Sequence, residues 1–387
     1  METATLENNV EQSTTSELSF QIEKEVLLNG LRIVERATAQ NGYQPVLANI
    51  LFDAADKTKI NLYATDFDMT ISTSVEANVS SLGKITLPAK KILDIVSRLN
   101  DGIIDFVLNG TVMTIKSGKS KFDIIGISAT EFPKIEYLTE EDNEIELDLK
   151  PFIIGVKEVC FAAASFESNN NLLSGVVCDI NKNVLEIAST DGNRLSRAKK
   201  IISNKDDKSV KLIIPAKVLQ EFMKVSFFIE EDTIKLYTKN NKIMFKSDNI
   251  TMISNLMNGQ YPQYNQLIPQ SFPKEAKVNV KKLLSALERV STMVDEKKKT
   301  VKFSFTENSL NLMSATPESD NSEDEIDILY SGEDILIGFN YQYLLDFIKN
   351  VDAEDVIICM NTNLSATVFK PNNEEDYIYL VMPVQIR

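Results

Sequence analysis

The sequence predicts an α+β protein made of three tandem copies of one domain. Two families of amphipathic segments recur along the 387 residues at offsets of about 125. Alternating, strand-like runs lie between and after them, and proline-containing segments close the copies alike. The boundaries read as an acidic leader over 1–17 and copies over 18–145, 146–270 and 271–387, each with two helices among about eight strands.

The first helical family begins with EKEVLLNGLRIVERAT, whose Val26, Leu27, Leu31, Ile33 and Val34 have helical apolar spacing. LKPFIIGVKEVCFAAA from Leu149 and VKKLLSALERVSTMV from Val280 repeat it, and each follows a short alternating strand: LSFQI, EIELDL and AKVNV. The second family is LPAKKILDIVSRL from Leu87, IPAKVLQEFMKV from Ile214 and FNYQYLLDFIKNV from Phe339, at offsets of 127 and 125. A charged turn and further strands follow each one. Thr65-Asp66 and Thr190-Asp191 stand 125 residues apart, and Pro133 of EFPKIEYL and Pro262 of QYPQYNQLIP stand 129 apart. The third copy runs out in YIYLVMPVQIR.

Composition sets bounds on function. The leader METATLENNVEQSTTSEL carries four Glu and no Lys or Arg, so it reads as a disordered leader and not as a signal or transit peptide. No apolar run approaches the roughly 18 residues of a membrane span. Cys160, Cys178 and Cys359 are far apart and set in apolar sequence, which suits buried thiols in a reducing cytoplasm. No cysteine pair has metal-ligand spacing. His is absent, which excludes Ser-His-Asp and Cys-His catalysis. A net charge of −15 argues against holding DNA by bulk attraction and leaves a locally basic face open.

The segment STDGNRLSR needs separate attention. Asp191-Gly192 between VLEIAST and RLSRAKKII is a hairpin signal, since Gly accepts the positive φ of a tight turn. Arg194 and Leu195 crowd the turn, and the matching ATDFDM of the first copy has neither Gly nor Arg-Leu.

LPAKKILDI, FDIIGISATEFPKI, STDGNRLS, YPQYNQLIP and the terminal YLVMPVQIR, in that order and spacing, resemble the bacterial DNA sliding clamp family, the beta subunit of the replicative DNA polymerase. The resemblance runs from about Leu18 to Arg387. It implies a head-to-tail homodimer that closes six domains into a ring around duplex DNA, with strands as the outer wall and helices lining the hole. It also implies a cytoplasmic, non-catalytic protein without cofactor. Its partners would be a clamp loader, the polymerase alpha subunit and other proteins carrying a clamp-binding motif.

The helices hold the matching charge. Lys24, Arg32 and Arg36 lie on the first, and Lys90, Lys91 and Arg98 on the second. Lys157, Lys217 and Lys224 lie on those of the second copy, and Lys281, Lys282 and Arg289 on the third copy's first helix. Taken alone they are solvated helix faces; in a ring they become weak phosphate contacts. For the dimer contact the resemblance implies Phe122 and Ile124 of KFDII against Thr292 and Met293, although alternation equally allows the first two to serve their own core.

The resemblance further implies a peptide groove between the second and third copies. Its second-copy wall is Leu173, Thr190, Gly192, Arg194 and Leu195, joined by Pro262, Gln266 and Leu267. Asn340, Tyr343, Leu364 and Ala366 follow, then Leu380, Met382, Pro383 and Val384 of the terminal strand. Apolar walls suit peptide Leu or Phe side chains, each worth roughly 1.5–3 kcal/mol when buried, and Met suits several partners. Arg194 and Asn340 are expected to hold peptide carbonyls. Asn170, Asn193, Gln266 and Lys298 depart from the family's usual basic or aromatic residues.

Two rival readings remain. The run PESDNSEDEID could supply carboxylates to a metal-dependent hydrolase, though it lacks the calcium-loop spacing. A triplicated domain could also scaffold partners without forming a ring.

Overall fold

The computed structural model describes residues 17–39, 44–139, 143–165, 171–204, 208–295, 297–314 and 321–386. Leader residues 1–16, Asn170 and part of the acidic run lie outside them. The chain divides into two compact units. One holds the first copy to Tyr137 together with Lys246–Ser254, and the other holds Leu138–Phe245 and Asn255–Arg387.

Six α-helices form where the two repeated families fall: α1 Lys24–Val34, α2 Ala89–Arg98, α3 Leu149–Val159, α4 Ala216–Val225, α5 Val280–Ser291 and α6 Tyr341–Asn350. Each has an apolar stripe at helical spacing; in α1 it is Leu27, Leu28, Leu31 and Val34. Among the described α-helices, those of the third copy have side-chain caps, Asn279 accepting from Lys282 N at 3.2 Å and Asn340 from Gln342 N at 3.0 Å.

In the first unit one sheet runs in the order Asn78–Ser81, Ser19–Glu23, Ile103–Asn109, Val112–Ser117, Ser120–Ile125. Met69–Glu76, in the other, pairs antiparallel with residues 250–254. In the second unit, eight strands form one sheet that bridges the second and third copies. The bridge is the terminal strand Tyr377–Val381 lying against Arg194–Ile201, with Arg194 opposite Val381 and Ala198 opposite Tyr377. A four-stranded sheet completes the third copy in the order Glu323–Asp327, Ser309–Ser314, Thr300–Thr306, Ile335–Asn340.

Each copy has its own aromatic core. Phe20 stacks on Phe106 at 4.5 Å, Phe222 on Phe245 at 4.5 Å, and Phe303 meets Phe339 edge-on at 5.3 Å. The helices can lie close on their sheets because α1 and α3 carry Gly at matching positions. A Cβ on Gly30 would meet Val75 Cγ1 at 2.7 Å, and one on Gly155 would meet Ile187 Cγ2 at 3.1 Å. All three cysteines are buried thiols.

Candidate partner-binding groove

The groove grows from the turn between the strands Val184–Thr190 and Arg194–Ile201. Thr190 Oγ1 donates to Arg194 O at 2.5 Å and accepts from Gly192 N at 3.1 Å. Asp191 Oδ1 accepts from Asn193 N and Arg194 N at 2.9 and 3.1 Å. The turn is pinned to the closing segment of the second copy, because Thr190 N donates to Tyr261 Oη at 3.1 Å and that hydroxyl donates to Gly175 O at 3.2 Å. Burial pushes the Tyr261 phenol up to about 12, so it remains a donor at neutral pH. Across the turn, Met382 N donates to Asn193 O at 2.9 Å and Val384 N to Gly338 O at 2.8 Å. The chain's end is thereby stitched to both copies.

An apolar cluster lies beneath. Leu195, Leu380, Val368, Ala188 and Tyr261 are buried in it, and Leu173 and Ala366 pack half-buried against it with Leu172, Met257 and Phe272. Leu267, Leu364 and Met382 stand exposed. Pro262, Gln266, Gly192 and Asn193 are exposed too, and Pro383 and Val384 are half-buried. Of the residues expected from the sequence, Leu173, Leu195, Ala366 and Leu380 come together in this one cluster, which also holds Leu172, Met257 and Tyr261, none of them named from the sequence.

Arg194 requires a correction. It is 8 % exposed, and all three guanidinium nitrogens are engaged. Nε donates to Asp191 Oδ2 at 3.0 Å, Nη1 to Asp346 Oδ2 at 2.6 Å and Nη2 to Phe161 O at 2.7 Å. Its guanidinium carbon lies 4.4 Å from the Tyr343 ring centroid. Burial works against its charge, yet Tyr379, Asp346 and Asp191 hold its pKa above the usual value. It joins the second copy to the third through one N–H of each nitrogen. Asn340 Oδ1 accepts from Gln342 N as the α6 cap, a bond that does not use the Nδ2 donor a peptide carbonyl would need.

Ile124 and Lys24 need correcting as well. Ile124 is 5 % exposed and belongs to its own core, while Phe122, on the same face of the strand, is 38 % exposed and Ile125, on the other, 73 %. Phe122 lines a cleft of about 280 Å³ together with Asp94, Arg98 and Leu99. Thr292 and Met293 are exposed at the end of α5. The Lys24 ammonium is largely buried against Asp101 at 2.9 Å, so it does not project freely. Arg98, Lys224, Lys282 and Arg289 pair with Asp94, Glu221, Asp327 and Asp324 on the surface. Such exposed pairs hold the charges loosely. Arg32, Lys90, Lys91, Lys157 and Lys281 are exposed and make no ion pair among the described residues. Arg36 is half-buried, and Lys217 is exposed. In the acidic run, Asp324 is taken by Arg289 and Glu323 by Asn311.

Comparison with known proteins identifies this architecture. Residues 18–136, 146–263 and 265–385 match the N-terminal, central and C-terminal domains of the DNA polymerase III beta subunit. A beta sliding clamp of Synechococcus elongatus is 32 % identical over 367 residues, covering 93 % of this chain and 97 % of the relative. The chain belongs to the beta sliding clamp family. Among solved clamps, the beta subunit of Thermotoga maritima superposes with a TM-score of 0.88 at 26 % identity, covering 96 % of this chain and 100 % of that one. A sliding clamp of Bartonella birtlesii bound to griselimycin has a TM-score of 0.86 at 27 % identity, with the same coverage. The three copies are therefore tandem clamp domains, and the terminal strand that edges the groove is the last strand of the third.

Proposed function

We propose that two copies of this chain close head-to-tail into a ring around duplex DNA. The groove then tethers the polymerase alpha subunit, the clamp loader and other proteins that carry a short apolar motif. The observation that carries the reading is the clamp family's match to all three domains, 18–136, 146–263 and 265–385. Phe122 on the first domain's edge strand of one protomer faces Thr292 and Met293 on the third domain of the other, a heterologous contact that also covers an edge otherwise prone to aggregation. Arg32, Lys90, Lys91, Lys157 and Lys281 touch phosphates weakly, as sliding demands, while the net charge of −15 keeps the protein from adhering to DNA elsewhere. No bond is made or broken in this role, so the protein is a non-catalytic processivity factor. It works in the cytoplasm; among the described residues no helix is long and apolar enough to cross a membrane.

Topology tests the proposal. Loaded onto nicked circular DNA, the protein stays bound through gel filtration and is lost when a restriction enzyme linearises the circle. Equal retention on circular and linear DNA would instead establish the scaffold reading.

A further inference from the structure

We propose that Asp346 is a positioning residue for the groove: it draws the Arg194 guanidinium across from the second domain to α6 of the third and so sets the aromatic wall that meets a bound peptide. The inference rests on the groove reading above and extends it to a residue outside the groove's lining.

The geometry separates what Arg194 would do alone from what Asp346 adds. Asp191, in the same turn, already accepts from Nε at 3.0 Å, and Phe161 O from Nη2 at 2.7 Å. Both partners belong to the second domain. Asp346 Oδ2, 2.6 Å from Nη1 and 152 residues along the chain, is the carboxylate that comes from the third. It stands one turn from Tyr343 on α6, and the ring of Tyr343 covers the guanidinium. The backbone of Tyr343 is held from the other side, where Tyr379 Oη donates to Tyr343 O at 2.8 Å. The groove's two walls, the 190–194 turn and α6, come from different domains. The Asp346–Arg194–Tyr343 stack fixes the distance between them. A guanidinium enclosed in this way acts by holding Tyr343 still.

The test titrates griselimycin into the full chain by calorimetry. Asp346→Ala is expected to weaken binding about five- to thirtyfold. Asp346→Asn, which keeps an acceptor opposite Nη1, should recover much of that loss. In an Arg194→Ala background, adding Asp346→Ala should change affinity by less than about twofold, as a residue acting through Arg194 must. Wild-type affinity in Asp346→Ala, or an undiminished loss in the Arg194→Ala background, would overturn the proposal. Should Asp346→Ala not fold, Asp346→Leu, which removes the acceptor at similar volume, decides in its place: weaker binding supports the proposal and unchanged binding refutes it. Met382→Glu separates the two readings. If it too binds griselimycin like wild type, the groove assignment fails; if it abolishes binding while Asp346→Ala does not, only the positioning role fails.

Discussion

The strands Met69–Glu76 of the first domain and Arg194–Ile201 of the second begin from the same turn and carry opposite chemistry. Thr65 Oγ1 donates to Met69 O and accepts from Phe67 N, and Asp66 Oδ1 accepts from Asp68 N and Met69 N. The 190–194 turn repeats each of these bonds 125 residues later. Where the first strand has Met69 and Val75, the second has Arg194 and Lys200; opposite them Ile33 is replaced by Glu158. The charges appear where the third domain comes alongside, since Arg194 reaches Asp346 and Lys200 reaches Glu374 at 2.5 Å. Backbone and Thr-Asp chemistry set the turn, and the neighbouring domain decides whether the strand behind it is apolar or ionic.

The Glu158–Lys200 pair, at 2.8 Å and largely buried, gives the largest expected effect. Lys200→Val, which installs the first domain's residue, leaves Glu158 buried without its cation and should cost about 3 kcal/mol at pH 8. Adding Glu158→Ile completes the apolar pair and should return stability to within about 1 kcal/mol of wild type, or above it. The pH dependence gives a second readout. Burial raises Glu158 from an ordinary 4.5 to about 7, against the opposing pull of Lys200; Glu374 also raises it and Lys157 lowers it. A carboxyl raised in the folded state binds its proton more tightly there. Its contribution is full below pH 4.5 and is lost as pH rises through 7. The double variant should lack that decline when urea unfolding is compared at pH 5 and pH 8. A single variant no less stable than wild type at pH 8 would mean the pair behaves as a surface one.

The triplication was legible because it rests on short-range periodicity: helix spacing, strand alternation and the Thr-Asp turn all recur at a fixed offset. The family pattern brought together Leu173, Leu195, Ala366 and Leu380, which share one apolar cluster. What stayed hidden was pairing over distance. Arg194 has its partner 152 residues away and Lys24 has Asp101 77 residues away, and no local pattern announces either. Alternation places Phe122 and Ile124 on one face, yet Ile124 is buried and Phe122 is not, a difference that alternation does not carry.

The next effect sharpens the likeness of the two turns. Thr65→Ala and Thr190→Ala each remove a buried hydroxyl that donates to one backbone carbonyl and accepts from one backbone N–H, and Thr65 also accepts from Thr70 Oγ1 at 2.9 Å. Each should cost about 1–2 kcal/mol, with Thr65→Ala the larger loss because it also strips the Thr70 hydroxyl of its acceptor. Function should tell them apart: Thr190→Ala weakens griselimycin binding in a titration, and Thr65→Ala leaves it unchanged. A larger stability loss on Thr190→Ala would mean that the shared bonds do not bear equally on the two folds.

The smallest effect comes from the residue at the tip of each turn, where the two domains solve one backbone problem differently. Gly192 has φ +92°, and Phe67 has φ +74° in the same position. An L-residue there sets its Cβ against its own backbone at a cost of about 1–2 kcal/mol, from which Gly is free. Nothing lies within 4 Å of a Cβ built on Gly192, so Gly192→Ala is not sterically blocked. Its expected loss of about 1 kcal/mol is conformational. Phe67→Gly should do the reverse. The ring is 57 % exposed and little burial is lost with it, so relief of the positive φ, less the extra freedom of an unfolded glycine, leaves a gain of about 0.5 kcal/mol. Paired urea midpoints measure both. A loss on Phe67→Gly would show that the exposed ring makes contacts worth more than the strain its backbone bears.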